Sequence, residues 1–348
     1  MKRFIDVMIP SPTCNLCCHY CYIPQDIKKS KASPFLYKPK HIGQALSKKR
    51  LGGVCHFNIC GVGETLIPNE VVAITREILK RGHYVMIVNN GTITRRFNQF
   101  SKFPMKLKER LGFKFSFHYL ELVKRGMLNV FFDNIDLVKK AGMSFSVELT
   151  PTDELEPYIA EIKKICLERI GALPHLTIPR DMKVSDIVLL SNNSMDRFAK
   201  KWDTFDSEMF RFKKSTWGIK RCEYCYAGAW SGLLNIGTGV LMACYSSKLM
   251  QNIFEDIKQP INFVAVGKDC KMPHCYNSHS LLTLGNIPKI KGNYAEMRNR
   301  KNENDGSEWL RPKMKRFLSH RLENYNKEFT VVEKLINYVK KRSLEKNI

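Results

Sequence analysis

Between residues 4 and 178 the chain alternates six times between a short apolar run and a longer stretch of mixed character. The runs are Phe4–Ile9, Val54–Cys60, Tyr84–Asn89, Lys114–His118, Ser144–Leu149 and His175–Ile178. Each is apolar or β-branched and bounded by turn residues or charge, which is the signature of a strand. Three of the intervening stretches have helical periodicity. In Asn69–Arg81, Val72, Ile74, Ile78 and Leu79 form a stripe against Glu70, Arg76, Glu77 and Lys80, and Gly82 is placed to end the helix. Asn129–Lys140, closed by Ala141-Gly142, and Pro157–Arg169 are the others. Repeated strand–helix units call for a parallel sheet with right-handed crossovers. The expected fold class is α/β: a partial (β/α)6 TIM-like barrel.

In such folds ligands gather at the C-terminal ends of the strands. Cys14, Cys18 and Cys21 follow the first strand, and Gly61-Val62-Gly63-Glu64 the second. Asn89-Asn90-Gly91 follows the third, Ser116 and His118 close the fourth, and Glu148 closes the fifth. These positions converge on one face.

The cysteines decide what that face holds. The chain has 12 of them, in an ordinary composition of 44% hydrophobic and 26% charged residues. No apolar stretch is long enough to span a bilayer, and the N-terminus lacks a signal-peptide pattern, so a cytoplasmic location is expected. In a reducing compartment, clustered cysteines bind metal or do redox chemistry. They cluster as Cys14/17/18/21 and Cys222/225/244/270/275, while Cys55, Cys60 and Cys166 stand apart and read as small buried hydrophobes. A cubane [4Fe–4S] cluster takes four cysteines. The C-x3-C-x2-C spacing of Cys14, Cys18 and Cys21 supplies three from one loop and leaves one iron open. Zinc prefers two close pairs, and Cys17-x3-Cys21 lacks a third partner in register.

With these residues in place the sequence resembles the radical S-adenosylmethionine (SAM) superfamily. C-x3-C-x2-C with an aromatic, here Tyr20, before the third cysteine is that superfamily's signature. Its Gly-Gly-Glu-Pro motif after strand two is matched at Gly63 and Glu64, with Val62 and Thr65 departing from it. Its Thr-Asn-Gly after strand three corresponds to Asn89-Asn90-Gly91. Ser116 and Glu148 fall where relatives contact the SAM ribose and methionine. The resemblance implies that SAM chelates the open iron and is cleaved by one electron to a 5′-deoxyadenosyl radical that abstracts hydrogen from substrate. Glu64 would face the SAM ammonium in a charge-assisted hydrogen bond. Its alternative role is that of an acid at a helix N-terminus.

Residues 179–220 are polar, aromatic-rich and less periodic, and read as a helical linker. Beyond them, Leu233-Leu234-Asn235-Ile236 and Val240-Leu241-Met242-Ala243 flank Gly237-Thr238-Gly239 as a β-hairpin. Cys225, Gly239 and Cys244 form C-x13-G-x4-C, which resembles the opening of the auxiliary-cluster modules called SPASM and twitch. The resemblance implies a second [4Fe–4S] cluster on Cys225, Cys244, Cys270 and Cys275, with Cys222 as alternate ligand. A structural zinc knot using Cys222-x2-Cys225 is the rival. His274 and His279 are weaker candidates. Trp309–Ile348 reads as helical, with Val332, Leu335, Ile336 and Val339 at helical spacing. The expected division is 1–180 barrel, 181–220 linker, 221–290 auxiliary-cluster domain and 291–348 helical tail.

A net charge of +24 suits an anionic partner. Relatives with auxiliary clusters modify peptides or act on sugars, nucleosides and alcohols, so the substrate is expected to be a peptide or a carbohydrate- or nucleotide-linked molecule. With a first strand at Phe4, no leader-binding domain is expected ahead of the barrel. An electron donor such as flavodoxin or ferredoxin is implied. The reading from another class is an iron–sulfur or zinc nucleic-acid-binding module without turnover. The charge permits it, but aromatic-interleaved basic motifs are absent and Gly63-Glu64 and Asn89-Asn90-Gly91 argue against it.

Overall fold

The computed structural model describes residues 2–23, 35–183, 187–219, 224–245, 250–268, 270, 272, 274–275, 292–320 and 329–336. Strands β1 (Phe4–Ile9), β2 (His56–Gly61), β3 (Tyr84–Asn89), β4 (Leu111–Phe117), β5 (Ser144–Leu149) and β6 (His175–Leu176) pair in sequence order, every pair parallel. Helices Glu70–Lys80, Leu128–Lys140 and Ile159–Ile170 lie in the crossovers. This is the partial TIM-like barrel that the alternation implied. A short antiparallel pair, β7 (Arg180–Asp181) and β8 (Val188–Leu189), follows.

Strand β4 begins at Leu111, earlier than its apolar run suggested. Gly112 hides that start in the sequence. A Cβ there would stand 3.0 Å from the Met86 methyl and 3.2 Å from the Ser144 Cβ, so the glycine marks close packing across three strands.

The parallel register sorts side chains onto two faces. Ile5, Val7, Ile9, Phe57, Ile59, Val85, Ile87, Phe113, Phe115, Phe117, Val147 and Leu149 all join the main apolar cluster under the helices. The alternate positions face inward, and the inward face is polar. Asp6 pairs with Asn58, Met8 with Cys60, Lys114 with Ser146, and Ser116 with Glu148. At the N-terminal end of the strands the interior is closed by residues from the C-terminal segment. Tyr294, Leu310, Met314, Phe317 and Leu318 cluster with Phe4 and Met86. Phe317 stacks on Tyr84 at 3.7 Å, and Tyr294 meets Phe4 edge-on at 5.5 Å.

Two stretches are more integrated than their sequence suggested. In the stretch read as a linker, helices Met195–Trp202 and Glu208–Thr216 send Phe198, Trp202 and Phe210 into the main core. Ser207 joins the second of them to the sheet, its hydroxyl accepting from Leu176 N (2.9 Å) and from Phe210 N (3.2 Å). The hairpin β9 (Ser231–Asn235) and β10 (Val240–Met242) forms as expected, with Gly239 at φ 81° in its turn. Strand β9 also runs parallel to β1, and β11 (Met250–Asn252) pairs with β10. The hairpin thereby extends the barrel sheet into nine strands, in the order β11-β10-β9-β1-β2-β3-β4-β5-β6. In the C-terminal part, helix Pro312–Ser319 and a helical stretch over 331–336 are present.

Candidate active site

The cysteine loop leaves β1 at the C-terminal end of the sheet and is tied down by its neighbours in turn. The loop after β2 reaches it first: Gly63 N donates to Ser11 O at 2.7 Å and Glu64 N to Thr13 O at 2.8 Å. A Cβ on Gly63 would lie 2.1 Å from the Thr13 carbonyl oxygen, so only glycine permits this contact. The loop after β3 comes next. Asn90 Nδ2 donates to Asn15 Oδ1 (2.8 Å), and Asn15 Nδ2 donates to Thr92 Oγ1 (2.8 Å). From the end of β4, His118 Nδ1 lies 2.8 Å from the buried Tyr20 hydroxyl. Helix Tyr119–Lys124 follows directly, and its Glu121 carboxylate accepts from Cys17 N at 3.1 Å.

Glu64 sits at the centre of this junction and is 4% exposed. One carboxylate oxygen accepts from Leu66 N (2.9 Å), the other from Asn90 N (2.8 Å). It therefore fastens the β2 loop to the β3 loop. No cation pairs with it among the described residues. Burial pushes its carboxyl up to about 7, against the lowering effect of those two amide donors. A carboxylate has lone pairs beyond the two in use here. Glu64 stands ahead of helix Glu70–Lys80 and outside its first turn.

Cys14, Cys18 and Cys21 carry free thiols, and Cys14 and Cys18 lie close enough to Cys21 for its charge to disfavour their ionisation. Burial is the larger effect and pushes the Cys18 thiol up to about 12. Cys14 and Cys17 are exposed, Cys18 and Cys21 partly so. Among the described residues no three His, Cys, Asp or Glu side chains converge as ligands of a single metal ion. Three thiolates on separate irons of a cubane stand farther apart than ligands of one ion, and a loop on which Cys21 interacts with both Cys14 and Cys18 fits that use.

Ser116 and Glu148 stand in register on β4 and β5, facing inward. Glu148 is not a lone acid. Arg298 Nη1 reaches it at 2.6 Å and Lys114 Nζ at 3.6 Å. Burial alone would raise its pKa, but Lys114, Lys213 and Arg298 together hold it well below the usual carboxylate range. Asn90 is committed too, since its Oδ1 accepts from Thr92 N (3.2 Å) and Thr92 Oγ1 (2.7 Å). Its side chain organises the loops.

The second cysteine set lies around the hairpin. Cys225 exchanges two backbone hydrogen bonds with Gly267 (2.9 and 2.8 Å) just before β9, and Cys244 follows β10. Cys225, Cys244, Cys270 and Cys275 are all partly exposed. His274 is buried against Trp217, 4.7 Å between ring centroids. Cys222 and His279 lie outside the described residues.

Solved structures share this architecture. Streptococcus suis SuiB aligns over 73% of this chain and 64% of its own, with 14% identity and a TM-score of 0.50. The chain thus matches just under two thirds of SuiB. Native anSMEcpe with bound AdoMet aligns over 73% of this chain and 79% of its own, with 15% identity and a TM-score of 0.52. This is the radical SAM fold. A third structure with it, anSMEcpe with bound AdoMet and the Cp18Cys peptide, aligns over 73% of this chain and 78% of its own (15% identity, TM-score 0.50). No family model matches the sequence, and no curated protein does.

Within the radical SAM fold, the polar inner face adds residues that the sequence pattern did not single out. Asn15, Thr92 and Glu121 hold the cysteine loop, while Lys114, Lys213 and Arg298 surround Glu148. One signal was available: Lys114 is the one charged residue in the strand Leu111-Gly112-Phe113-Lys114-Phe115-Ser116-Phe117.

Proposed function

We propose that this chain is a radical SAM enzyme that abstracts hydrogen from a peptide or from a carbohydrate- or nucleotide-linked substrate. The observation that carries this reading is the Glu64 junction: a buried carboxylate with no counter-ion among the described residues, beside a loop of three thiols, bound by hydrogen bonds to the loops after β2 and β3. When bound, a [4Fe–4S] cluster and SAM would together supply a 5′-deoxyadenosyl radical as hydrogen abstractor. Cys14, Cys18 and Cys21 would hold the cluster. Glu64 would accept hydrogen bonds from the SAM ammonium, and Gly63 lets the β2 loop approach close enough for that. Tyr20 shields the loop from the barrel side, anchored by His118, whose imidazole burial keeps neutral, with a pKa lowered to about 4. Asn90 holds the loops, and Ser116 faces the interior beside them.

A second [4Fe–4S] cluster on Cys225, Cys244, Cys270 and Cys275, with Cys222 as alternate, would relay electrons next to the barrel. A flavodoxin or ferredoxin would supply the reducing electron. The peptide reading is favoured by the fold shared with a peptide-bound structure. The expected division of the chain into barrel, helical stretch, auxiliary-cluster region and tail belongs to the same proposal.

The test is anaerobic. The protein is reconstituted with iron and sulfide, reduced, and given SAM, and 5′-deoxyadenosine is measured. Its formation, lost in Cys14→Ala, is the expected result. No 5′-deoxyadenosine, or an amount undiminished by Cys14→Ala, overturns the proposal. About eight irons per chain supports two clusters, whereas about four together with zinc assigns the second set to a zinc knot.

A further inference from the structure

The inner face of the barrel carries more positive charge than its carboxylates balance. Glu148 is the acid at its centre, and it is engaged by Arg298 at 2.6 Å and Lys114 at 3.6 Å. Lys213 points into the same space from helix Glu208–Thr216, and its ammonium donates to the Thr177 hydroxyl. Among the described residues no carboxylate pairs with Lys213. Its charged surroundings are Glu148 on β5, Lys114 on β4, Arg298 from the C-terminal segment and Arg180 on β7. Asp6 lies one layer deeper than Lys114 and is taken by Asn58 Nδ2 at 2.8 Å. Lys114, Lys213 and Arg298 thus share Glu148, and Asp6 is a second acid acting on Lys114 and Arg298. The pocket is not sealed: the Lys114 and Glu148 side chains keep 13% and 11% exposure.

We propose that Lys213, with Lys114 and Arg298, receives an anionic group of the hydrogen-donating substrate, a carboxylate or a phosphate, inside the barrel. Cations gathered without a matching anion repel one another, and a half-buried ammonium whose partner is a hydroxyl is incompletely paired. Burial lowers the Lys213 pKa to about 7, Glu148 opposing and the neighbouring cations adding to that effect. An arriving anion reverses it and keeps the lysine charged. Position separates this site from the Glu64 junction. Glu64 and Asn90 follow β2 and β3, whereas Thr177 follows β6, three strands further along the sheet from β3. A substrate anchored here would present its remainder beneath the cysteine loop. The lysine would fix orientation, leaving the reaction itself to the other end of the barrel.

This inference rests on the reading of the chain as a radical SAM enzyme, and its test keeps the two apart. Calorimetric titration of the reconstituted protein with inorganic phosphate, and separately with acetate, at fixed ionic strength reads the anion site without turnover. Wild type, Lys213→Gln, Lys213→Arg and the exposed-lysine control Lys200→Gln are compared, with circular dichroism confirming folding. The expected result is at least a tenfold loss of affinity for one of the two anions in Lys213→Gln. Lys213→Arg retains binding, and Lys200→Gln matches wild type. SAM affinity in Lys213→Gln falls by clearly less than the anion affinity does. Equal anion binding in wild type and Lys213→Gln overturns the proposal. A parallel tenfold loss of SAM affinity in Lys213→Gln also overturns it, because the anion would then be the carboxylate of SAM. Failure of every variant and of wild type to form 5′-deoxyadenosine overturns the enzymatic reading alone, since the phosphate and acetate titrations still report on the cradle.

Discussion

The two faces of the barrel sheet obey different physics although they come from the same strands. The outer face is predominantly apolar, with Ile5, Val7, Ile9, Phe57, Ile59, Phe113, Phe115 and Phe117 packed beneath helices. The inner face alternates with it and carries Asp6, Asn58, Lys114, Ser116, Ser146 and Glu148. One face contributes stability through contact area. The other spends it on desolvating charged groups, and such groups persist where they are paired or where a ligand pairs them. A slip of one residue in register would exchange the faces completely, so the pattern that fixes the fold also places the chemistry.

The sharpest way to break this comparison is to cut into the outer face. Phe115 packs against Phe97 (5.4 Å between centroids) and Phe131 (5.7 Å) and is fully buried. Phe115→Ala is expected to cost about 3–5 kcal/mol of unfolding free energy, measured by urea denaturation. Its sequence neighbour on the other face, Ser116→Ala, is expected to stay within about 0.5 kcal/mol. Equal costs at the two positions would dissolve the distinction between the faces.

A buried histidine on the outer side gives the next largest effect. His83 Nδ1 accepts from Cys55 N (3.1 Å), and its Nε2 faces Leu46 O at 2.8 Å, an arrangement that requires the neutral ring. Burial lowers its pKa to about 4. The unfolded chain takes up this proton near pH 6.5, so the stabilisation is complete above that pH and declines as pH falls from about 6.5 towards 4. The accumulated loss is on the order of 3 kcal/mol. Unfolding curves at pH 7 and pH 4.5 should therefore diverge less in His83→Gln than in wild type. An identical pH dependence in the two proteins would remove His83 as the cause.

On the inner face the informative change is Arg298→Met. It leaves Glu148 with Lys114 as its remaining paired cation, and a cost of about 2 kcal/mol is expected, below that of a fully orphaned buried charge. Adding Glu148→Leu should return part of it, a coupling that a double-mutant cycle reads directly. Additive losses would show that Arg298 acts through its packing on Tyr294 and not through the ion pair.

These cases also show what was legible in the sequence. Strands β1, β3 and β5 could be bounded to the residue because each short apolar or β-branched run is flanked by turn residues or charge. The cysteine loop, Gly63 and Glu64 were readable because their chemistry depends on local spacing. The charge cluster was not. Lys114, Lys213 and Arg298 are far apart in the chain, and nothing local distinguishes an inward lysine in a helix, or an arginine in a polar loop, from a solvated one. The aromatic residues Phe198, Trp202 and Phe210 were visible, but their lack of regular period concealed that they complete the core. The joining of β9 to β1 is likewise a long-range pairing that leaves no local trace.

The smallest expected effect lies where the cysteine loop meets the sheet. Four cysteines fall within eight residues, and spacing alone selects Cys14, Cys18 and Cys21 over Cys17. The structure separates them on independent grounds. Cys14 and Cys18 each interact electrostatically with Cys21, whereas Cys17 is held through its backbone amide, which donates to Glu121 at 3.1 Å. Cys17→Ser should therefore leave iron content and 5′-deoxyadenosine formation at wild-type levels. Cys18→Ser should lower iron by about four per chain, the complement of one cubane. Serine is the right replacement, because it keeps the side chain small and polar while removing a soft metal ligand. If Cys17→Ser also released a cluster, Cys17 would be a ligand and the assignment to Cys14, Cys18 and Cys21 would fail.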